Sequence, residues 1–399
     1  MSKILFLSNG HGEDISGSLL AKKLIKQGHI IHALPLVGNG NSYKNNGVRI
    51  VGITREFNTA GLGYNSLNGR LKDLINGQII YFLKKLFFIL YIHRKYDYFF
   101  VVGDIVPIFF AWLVKKEYFL YLVAYSSNYE GKLNLPWPCK FFLDSKKVRK
   151  IYSRDYLTAV DLSKQLRKDV KFLGNPFMDN LFLIKTIKKK NKILNIALLP
   201  GSRIIELKEN LILMLELLEN LSRYRYFEKK IFNFALINQF DKNNLKLILQ
   251  ERNWTLKKKN LSENNLTSSF KNICVNFCWN SFEGILNNTD LVIGMAGTAN
   301  EQAVGLAKPV IQLEGKGPQF TKKFAEAQRR LLGEYVYCVT EYINRKHQLN
   351  ETVNLILKII YLIKLDNKFL LNCRRNAISR LGEKGASDNL INDMKDLLI

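Results

Sequence analysis

Two rhythms of hydrophobic positions alternate along this chain. Residues 4–7 form a continuous apolar run of strand length. A Gly-rich turn separates it from residues 15–27, where apolar positions recur at helical spacing until Gly28 stops them. Apolar runs at 30–36 and 48–53 predict the next two strands, with a loop at 38–41 between them. Between residues 55 and 70, Gly61, Gly63 and Gly69 with Asn58, Asn65 and Asn68 predict a mobile loop, and loops of that length are usually functional or disordered. Residues 71–96 read as one long helix, 98–102 as a buried strand ending at Gly103 and Asp104, and 119–123 as another strand. A run at 151–153, a helical pattern at 155–166 and a run at 170–173 complete a first half that closes at Gly174-Asn175-Pro176.

The Lys-rich stretch 185–192 reads as a linker, and beyond it the pattern restarts. Residues 193–199 predict a strand, 200–203 a turn and 204–221 a strongly periodic helix; further strands follow at 231–237, 273–277, 290–293, 310–313 and 335–339, and helices alone from 351. Strands alternating with helices in both halves predict an α/β chain of two doubly wound parallel sheets. The expected boundaries are 1–180 and 190–370, with C-terminal helices over 371–399. Two such halves facing each other would leave a cleft between two rows of strand carboxyl ends, where ligands of open α/β sheets bind.

Composition narrows this picture. A chain of 399 residues exceeds what one core usually reaches, about 250–300 residues, and 47% apolar content is ordinary for a globular protein. The net charge of +26 points to an anionic partner: a polyanion, an acidic membrane surface or a phosphorylated substrate. Biased nucleotide composition, which enriches Lys, Asn and Ile, is the bland alternative. Five scattered cysteines without C-x-x-C units argue against a disulfide framework or zinc ribbon and fit a reducing cytoplasm. Lys3 and the short run after it do not read as a signal peptide. The most apolar stretches, 78–93 and 99–124, are interrupted by Lys84-Lys85 and by Asp104, Pro107 and Lys115-Lys116, so neither supplies the ~20 apolar residues of a spanning helix. The protein is expected to be soluble or surface-bound. The helix at 71–96 sets Phe82, Leu86, Phe87 and Tyr91 beside Lys84, Arg94 and Lys95; it would either lie on an anionic bilayer or pack against the sheet with a solvated basic edge.

Four segments carry candidate chemistry. The loop Asn9-Gly-His-Gly-Glu-Asp14 puts an imidazole and two carboxylates at the first strand end. His11 suits a general base because its ordinary pKa lies near neutrality, or it merely bonds the neighbouring loop. Asp104, also at a strand end, is either catalytic or the N-cap of the following helix. Pro200-Gly-Ser-Arg203 offers a tight turn, a hydroxyl, backbone amides and a guanidinium suited to phosphate oxygens, or simply a surface Arg after a turn. The small residues Ala296, Gly297 and Thr298, between an apolar run and a helix, mark either an anion site or an ordinary βαβ turn. The absence of G-x-G-x-x-G and Walker patterns disfavours nicotinamide cofactors and ATP. No helix-turn-helix, RNP or zinc-finger pattern accompanies the positive charge, so nucleic acid is not an expected partner.

Leu198-Leu-Pro-Gly-Ser-Arg203 followed by Glu206, together with Gly297-Thr298-Ala299 and the helix running to Pro309, resembles the lipid-A-disaccharide synthase family, in particular its synthase-related branch. More distantly the chain is similar to the UDP-GlcNAc-using enzymes of peptidoglycan lipid II synthesis and to UDP-GlcNAc 2-epimerase. The likeness spans nearly the whole chain. It implies a GT-B fold: two Rossmann-like doubly wound parallel-sheet domains facing a central cleft, an N-terminal acceptor domain, a C-terminal nucleotide-sugar donor domain, and a C-terminal helix around 376–398 crossing back. It also implies no cofactor, a UDP-sugar as donor substrate, inversion without a metal, and a lipid or glycolipid acceptor. Such a protein would be cytoplasmic and peripheral on the inner face of the membrane.

By position, Gly201, Ser202 and Arg203 with the Gly297 and Thr298 amides would bind the diphosphate. The carboxylate expected seven residues before Pro309, for the ribose, is replaced by Gln302, with Glu301 beside it; both are candidates. Gln319 and Gln328 lie where such enzymes contact the donor sugar, and His11, Glu13 and Asp104 are the catalytic candidates. The first loop, Gly10-His-Gly-Glu-Asp-Ile-Ser-Gly17, departs from the Gly-Glu-Ala-Ser-Gly-Asp loop of the lipid A family and is closer to the Gly-His pattern of the lipid II enzymes. A UDP-sugar epimerase on the same fold is the alternative activity, and a basic nucleic-acid-binding protein a third reading that charge alone suggests.

Overall fold

The computed structural model describes residues 1–55, 78–131, 133, 135, 137–183, 193–224, 230–257, 265–315 and 321–398. The chain forms two compact units, Met1–Asp179 with Leu381–Ile399, and Asn180–Arg380. The loop expected at 55–70 beyond its first residue, the first turns of the helix expected from 71 and the linker at 185–192 lie outside the described residues.

The first unit contains β1 (Lys3–Ser8), β2 (Ile30–Pro35), β3 (Arg49–Ile50), β4 (Tyr98–Gly103), β5 (Glu117–Leu122), β6 (Val148–Ser153) and β7 (Val170–Lys171). They pair in the order β3-β2-β1-β4-β5-β6-β7, every neighbour parallel. Continuous apolar runs suit these strands because both faces are covered, and successive side chains part to opposite sides. Leu5, Leu7, Phe99, Val101 and Leu120 join the helices Gln78–Ile92, Ile105–Leu113 and Trp137–Leu143 on one face. Ile4, Phe6, Phe100, Val102 and Phe119 meet the helix His11–Lys26 on the other. Phe6 and Phe100 stack with centroids 4.8 Å apart. The last helix, Ala386–Met394, adds Leu390, Ile391 and Met394 to that second face. Its first turn is capped by a residue far away in sequence, since Asp179 accepts from the backbone N–H of Gly385, Ala386 and Ser387 at 3.0, 3.1 and 2.9 Å.

In the second unit β8 (Leu194–Leu199), β9 (Lys230–Leu236), β10 (Thr255–Leu256), β11 (Asn265–Phe270), β12 (Ile273–Trp279), β13 (Leu291–Gly294), β14 (Val310–Gln312) and β15 (Val336–Cys338) form one sheet. Its order is β10-β11-β12-β9-β8-β13-β14-β15. From β12 to β15 all neighbours are parallel, whereas β10 and β11 are antiparallel additions. That edge departs from the wholly parallel expectation. Only residues 271 and 272 separate β11 from β12, with Lys271 at φ 51°, and so short a link permits a hairpin but not a crossover helix. The long helix Ile204–Leu221 buries Leu207, Leu211, Met214 and Leu218 in this unit's core.

Candidate functional site

Both sheets reverse their winding direction beside their first strand. In the first unit the chain leaves β1 toward β2 and β3 and returns to β4 on the other side, so the carboxyl ends of β1 and β4 form the switch point of a doubly wound sheet, the usual place for a ligand. Ser8 pairs with Val102 at that end, and Asn9 and Asp104 lie just beyond. Asn9 donates its amide to both carboxylate oxygens of Asp104, at 3.0 and 2.9 Å. Its own Oδ1 is buried without a hydrogen-bond partner. A flipped amide would instead turn that oxygen onto a carboxylate, so this orientation is the stable one.

Asp104 also caps the helix Ile105–Leu113, accepting from the Val106 N–H at 2.9 Å. Burial pushes its carboxyl above the ordinary carboxylate range, against the hydrogen bonds from Val106 and Asn9 that favour the charged form. Glu13 folds over the same loop, since a Cβ at Gly10 would sit 2.5 Å from its Oε2 and one at Gly103 would sit 3.6 Å from its Cγ. His11 opens the helix His11–Lys26 at the carboxyl end of β1.

Asp14 is the buried member of this group, 3% exposed. It accepts from Ser8 Oγ at 2.6 Å, and Tyr43 in turn donates to Ser8 at 3.2 Å. Burial raises Asp14 to about 7, opposed by the Ser8 bond. Burial likewise lowers Lys85 to about 7, with Asp14 partly restoring its charge, and the Lys85 ammonium donates to the Pro35 carbonyl at 2.7 Å. Neither Asn9 nor Lys85 stands out among the sequence candidates. Lys85 left a trace, because it occupies the inward positions Tyr81, Lys85, Ile89 and Ile92 of an otherwise apolar stripe.

In the second unit the equivalent switch point lies between β8 and β13. Gly294 pairs with Leu199, and the Met295 N–H donates to the Leu199 carbonyl at 2.8 Å. Two separate sequence motifs therefore leave adjacent strand ends: Pro200-Gly-Ser-Arg203 and Ala296-Gly-Thr298. Gly201 adopts φ +102°, which a side chain would strain, and Asn210 fixes the turn by donating to the Pro200 carbonyl at 2.8 Å. Arg203 is the N-cap of the helix Ile204–Leu221 without a side-chain cap bond, and its guanidinium lies 3.8 Å from Glu206, a loose ion pair.

The helix Gly297–Gly305 starts beside it from Ala296, again without a side-chain cap, and its first turn contains no acidic residue. Its leading N–H groups and dipole favour an anion at this end. Gln328, on the helix Lys322–Leu332, braces the turn by donating to the Gly297 carbonyl at 3.0 Å and accepting from Asn300 at 3.1 Å. Asn300 packs so tightly under the strand end that a Cβ at Gly294 would lie 1.9 Å from its Oδ1. Gln302 is buried, Glu301 half-buried, and Gln319 lies outside the described residues. Asn300, fully buried with an unpartnered Oδ1, was not anticipated; an Asn in the middle of a small-residue helix was its only signal.

The structure thus brings Gly201, Ser202 and Arg203 to the same strand ends as Gly297 and Thr298, and separately assembles Asn9, Glu13 and Asp104. Among the described residues no group of three or more His, Cys, Asp or Glu side chains is placed to hold a metal ion.

No family model matches the chain, and no curated protein matches it. Solved structures match over nearly its full length. They include a UDP-GlcNAc 2-epimerase from Neisseria meningitidis bound to UDP-GlcNAc, at 16% identity and a TM-score of 0.52, covering 99% of this chain and 100% of that one. Acinetobacter baumannii MurG matches at 14% identity and a TM-score of 0.56, with coverage of 99% and 100%. The spinosyn rhamnosyltransferase SpnG, complexed with spinosyn aglycone, matches at 10% and 0.58, with the same coverage. The fold is that of these GT-B proteins.

Proposed function

We propose that this chain, with its GT-B fold, is an inverting, metal-independent glycosyltransferase that moves a sugar from a UDP-sugar to a lipid-linked acceptor, as a lipid-A-disaccharide synthase does. The observation that carries the reading is the convergence of Gly201-Ser202-Arg203 with the uncapped helix start at Gly297 and Thr298 on adjacent strand ends. A departing UDP gathers negative charge on its β-phosphate. Backbone N–H groups, a helix dipole and a guanidinium can stabilise that charge where another enzyme would use a metal. In this reading Arg203 and the Gly297 and Thr298 amides hold the diphosphate. Glu301 or Gln302 serves the ribose, and Gln328 keeps the Gly297 turn in shape.

In the first unit Asp104 is the general base for the acceptor hydroxyl, held by Asn9, with His11 and Glu13 in the first turn of the helix that follows β1. A carboxyl raised by burial is better matched to proton abstraction near neutrality than an exposed one. Hydroxyl attack forms the new glycosidic bond as the bond to UDP breaks, the hydroxyl proton passes to the base, and the electron pair leaves with UDP.

The names of several similar structures favour a second reading, a UDP-GlcNAc 2-epimerase-like activity on the same donor site. Two measurements separate them. A thermal-shift panel of nucleotides and UDP-sugars should show stabilisation by UDP and its sugars above other nucleotides; equal response to all, or to none, rejects both. Incubation with UDP-GlcNAc alone, followed by NMR, should leave the sugar unchanged in a transferase and yield a new epimer in an epimerase.

A further inference from the structure

We propose that Gln312 and Glu314, at the carboxyl end of β14, form a subsite for a vicinal diol of the bound UDP-sugar; the inference rests on the donor site proposed above. Gln312 is 1% exposed, and neither its Nε2 nor its Oε1 has a hydrogen-bond partner. Glu314 is 6% exposed. Its Oε2 accepts from the Tyr342 hydroxyl at 2.8 Å, while its Oε1 has no partner. Buried polar atoms are nearly always paired, because an unmade hydrogen bond costs free energy that a matching ligand recovers.

The sheet register sets this pair beside the Gly297 turn. Gln312 pairs with Gly294 on one side and with Cys338 on the other. Ile311 and Leu313 enter the unit's main core cluster, so alternation turns Gln312 and Glu314 to the opposite face. That face carries Asn300, which fills the space over Gly294 and is bonded to Gln328. Burial, and then the nearby Glu314 carboxylate, push the Cys338 thiol up, which places Glu314 on the same side of the strands. Neighbouring strands lie about 4.8 Å apart, so the row is one strand away from the helix start assigned to the diphosphate. Gln328, the sequence candidate for the donor sugar, already engages both ends of its amide with Gly297 and Asn300. Gln312 keeps both ends of its own. The chemistry of the row selects hydroxyls, since a carboxylate repels phosphate whereas a hydroxyl both donates and accepts. One hydroxyl can accept from Gln312 Nε2 and donate to Glu314 Oε1 while its neighbour donates to Gln312 Oε1, so two adjacent hydroxyls pair all three atoms. A UDP-sugar carries such a pair on its ribose and another on its hexose.

Calorimetry of the full chain with UDP, 2′-deoxy-UDP and UDP-GlcNAc tests this in wild type, Gln312→Met and Glu314→Gln. Gln312→Met keeps the length of the side chain and removes its unpaired polar end. Its urea midpoint should therefore stay level or rise, while affinity for the diol-bearing ligand falls about ten-fold. Glu314→Gln keeps an acceptor for Tyr342 and should lower the same affinity by a smaller factor. If the row reads the hexose, Gln312→Met weakens UDP-GlcNAc and leaves UDP at the wild-type value. If it reads the ribose, the variant weakens UDP and UDP-GlcNAc alike and leaves 2′-deoxy-UDP unchanged, which moves the ribose role away from Glu301 and Gln302. Unchanged affinity for all three ligands in Gln312→Met, the result that ordered water on these atoms would give, overturns the subsite. So does a variant that loses stability together with affinity, because Gln312 would then be a brace of the turn. Wild type that binds none of the three ligands removes the donor reading and the subsite with it, whereas binding that neither variant alters removes the subsite alone.

Discussion

The switch points of the two sheets occupy the same topological position, yet their chemistry is opposite. At β1 and β4 the first helical turn carries Glu13 and Asp14, the next strand end carries Asp104, and buried Lys85 lies within electrostatic reach of Asp14. At β8 and β13 the loops 200–203 and 295–296 carry no acid, the helix Gly297–Gly305 has none in its first turn, and Arg203 stands at the strand ends, loosely paired with Glu206. Helix dipoles point the same way at both places, so the macrodipole alone cannot decide the ligand. The side chains decide it. At the first site burial raises the Asp14 and Asp104 carboxyls above their ordinary range, whereas the second site presents small residues and an uncapped helix start. On the function proposed above, a fold built twice divides proton transfer and anion binding between its copies.

The contrast can be broken at its proton-handling end first. Asp104→Asn keeps a side-chain oxygen for the Val106 cap but removes the proposed base. Turnover with a suitable acceptor should fall by about 10²–10⁴-fold, while UDP affinity measured by calorimetry stays at the wild-type value. Full turnover in this variant would place the base elsewhere.

A smaller effect is expected at the other end. Gly294→Ala puts a Cβ 1.9 Å from Asn300 Oδ1, a side chain that is 0% exposed and bonded to Gln328. Asn300 must shift, and Gln328 with it, so chemical denaturation should show a loss of about 1–3 kcal/mol together with weaker UDP binding. Loss of stability with intact UDP affinity would separate the brace from the anion site.

Asp14 sharpens the comparison through pH. Its folded value of about 7 lies above the ordinary 3.8, so the folded chain binds more protons than the unfolded one between those values, and stability falls as pH rises through that window. Lys85, lowered from 10.5 to about 7, acts in the opposite sense: the unfolded chain holds the extra proton, and stability rises with pH above about 7. Asp14→Asn should flatten the first slope, which is worth at most about 4 kcal/mol at ~1.4 kcal/mol per pKa unit. Urea unfolding at pH 4, 5, 6 and 7, wild type against variant, reads it directly; parallel slopes would show that the raised carboxyl is not Asp14.

Much of the architecture was legible because parallel strands buried on both faces read as continuous apolar runs. The helix Ile204–Leu221 and β8 stood out through strong periodicity and a continuous apolar run. The edge strand β11 was not legible, since Asn265, Thr267, Ser268 and Ser269 give it a polar surface and its stability comes from pairing with β12. The helix Asn41–Asn45 hid inside a loop because five residues give no period to count. At the sites, motif residues at strand ends could be found, but their supporting partners could not. Asn9 meets Asp104 from 95 positions away, and Gln328 reaches Gly297 across 31. Contacts of that range leave no local pattern, and a single sequence records only the residue types.

The glycosyltransferase proposed above requires the β8 and β13 strand ends to form a diphosphate site. Its most direct test is isothermal titration of wild type and Arg203→Ala with UDP and with UMP. UDP should bind wild type far more tightly than UMP does, and the variant should lose roughly 10–100-fold in UDP affinity, the worth of a charge-assisted contact of about 1.5–3 kcal/mol, with little change toward UMP. Equal UDP affinity in the two proteins, or no preference of wild type for the diphosphate, would contradict it.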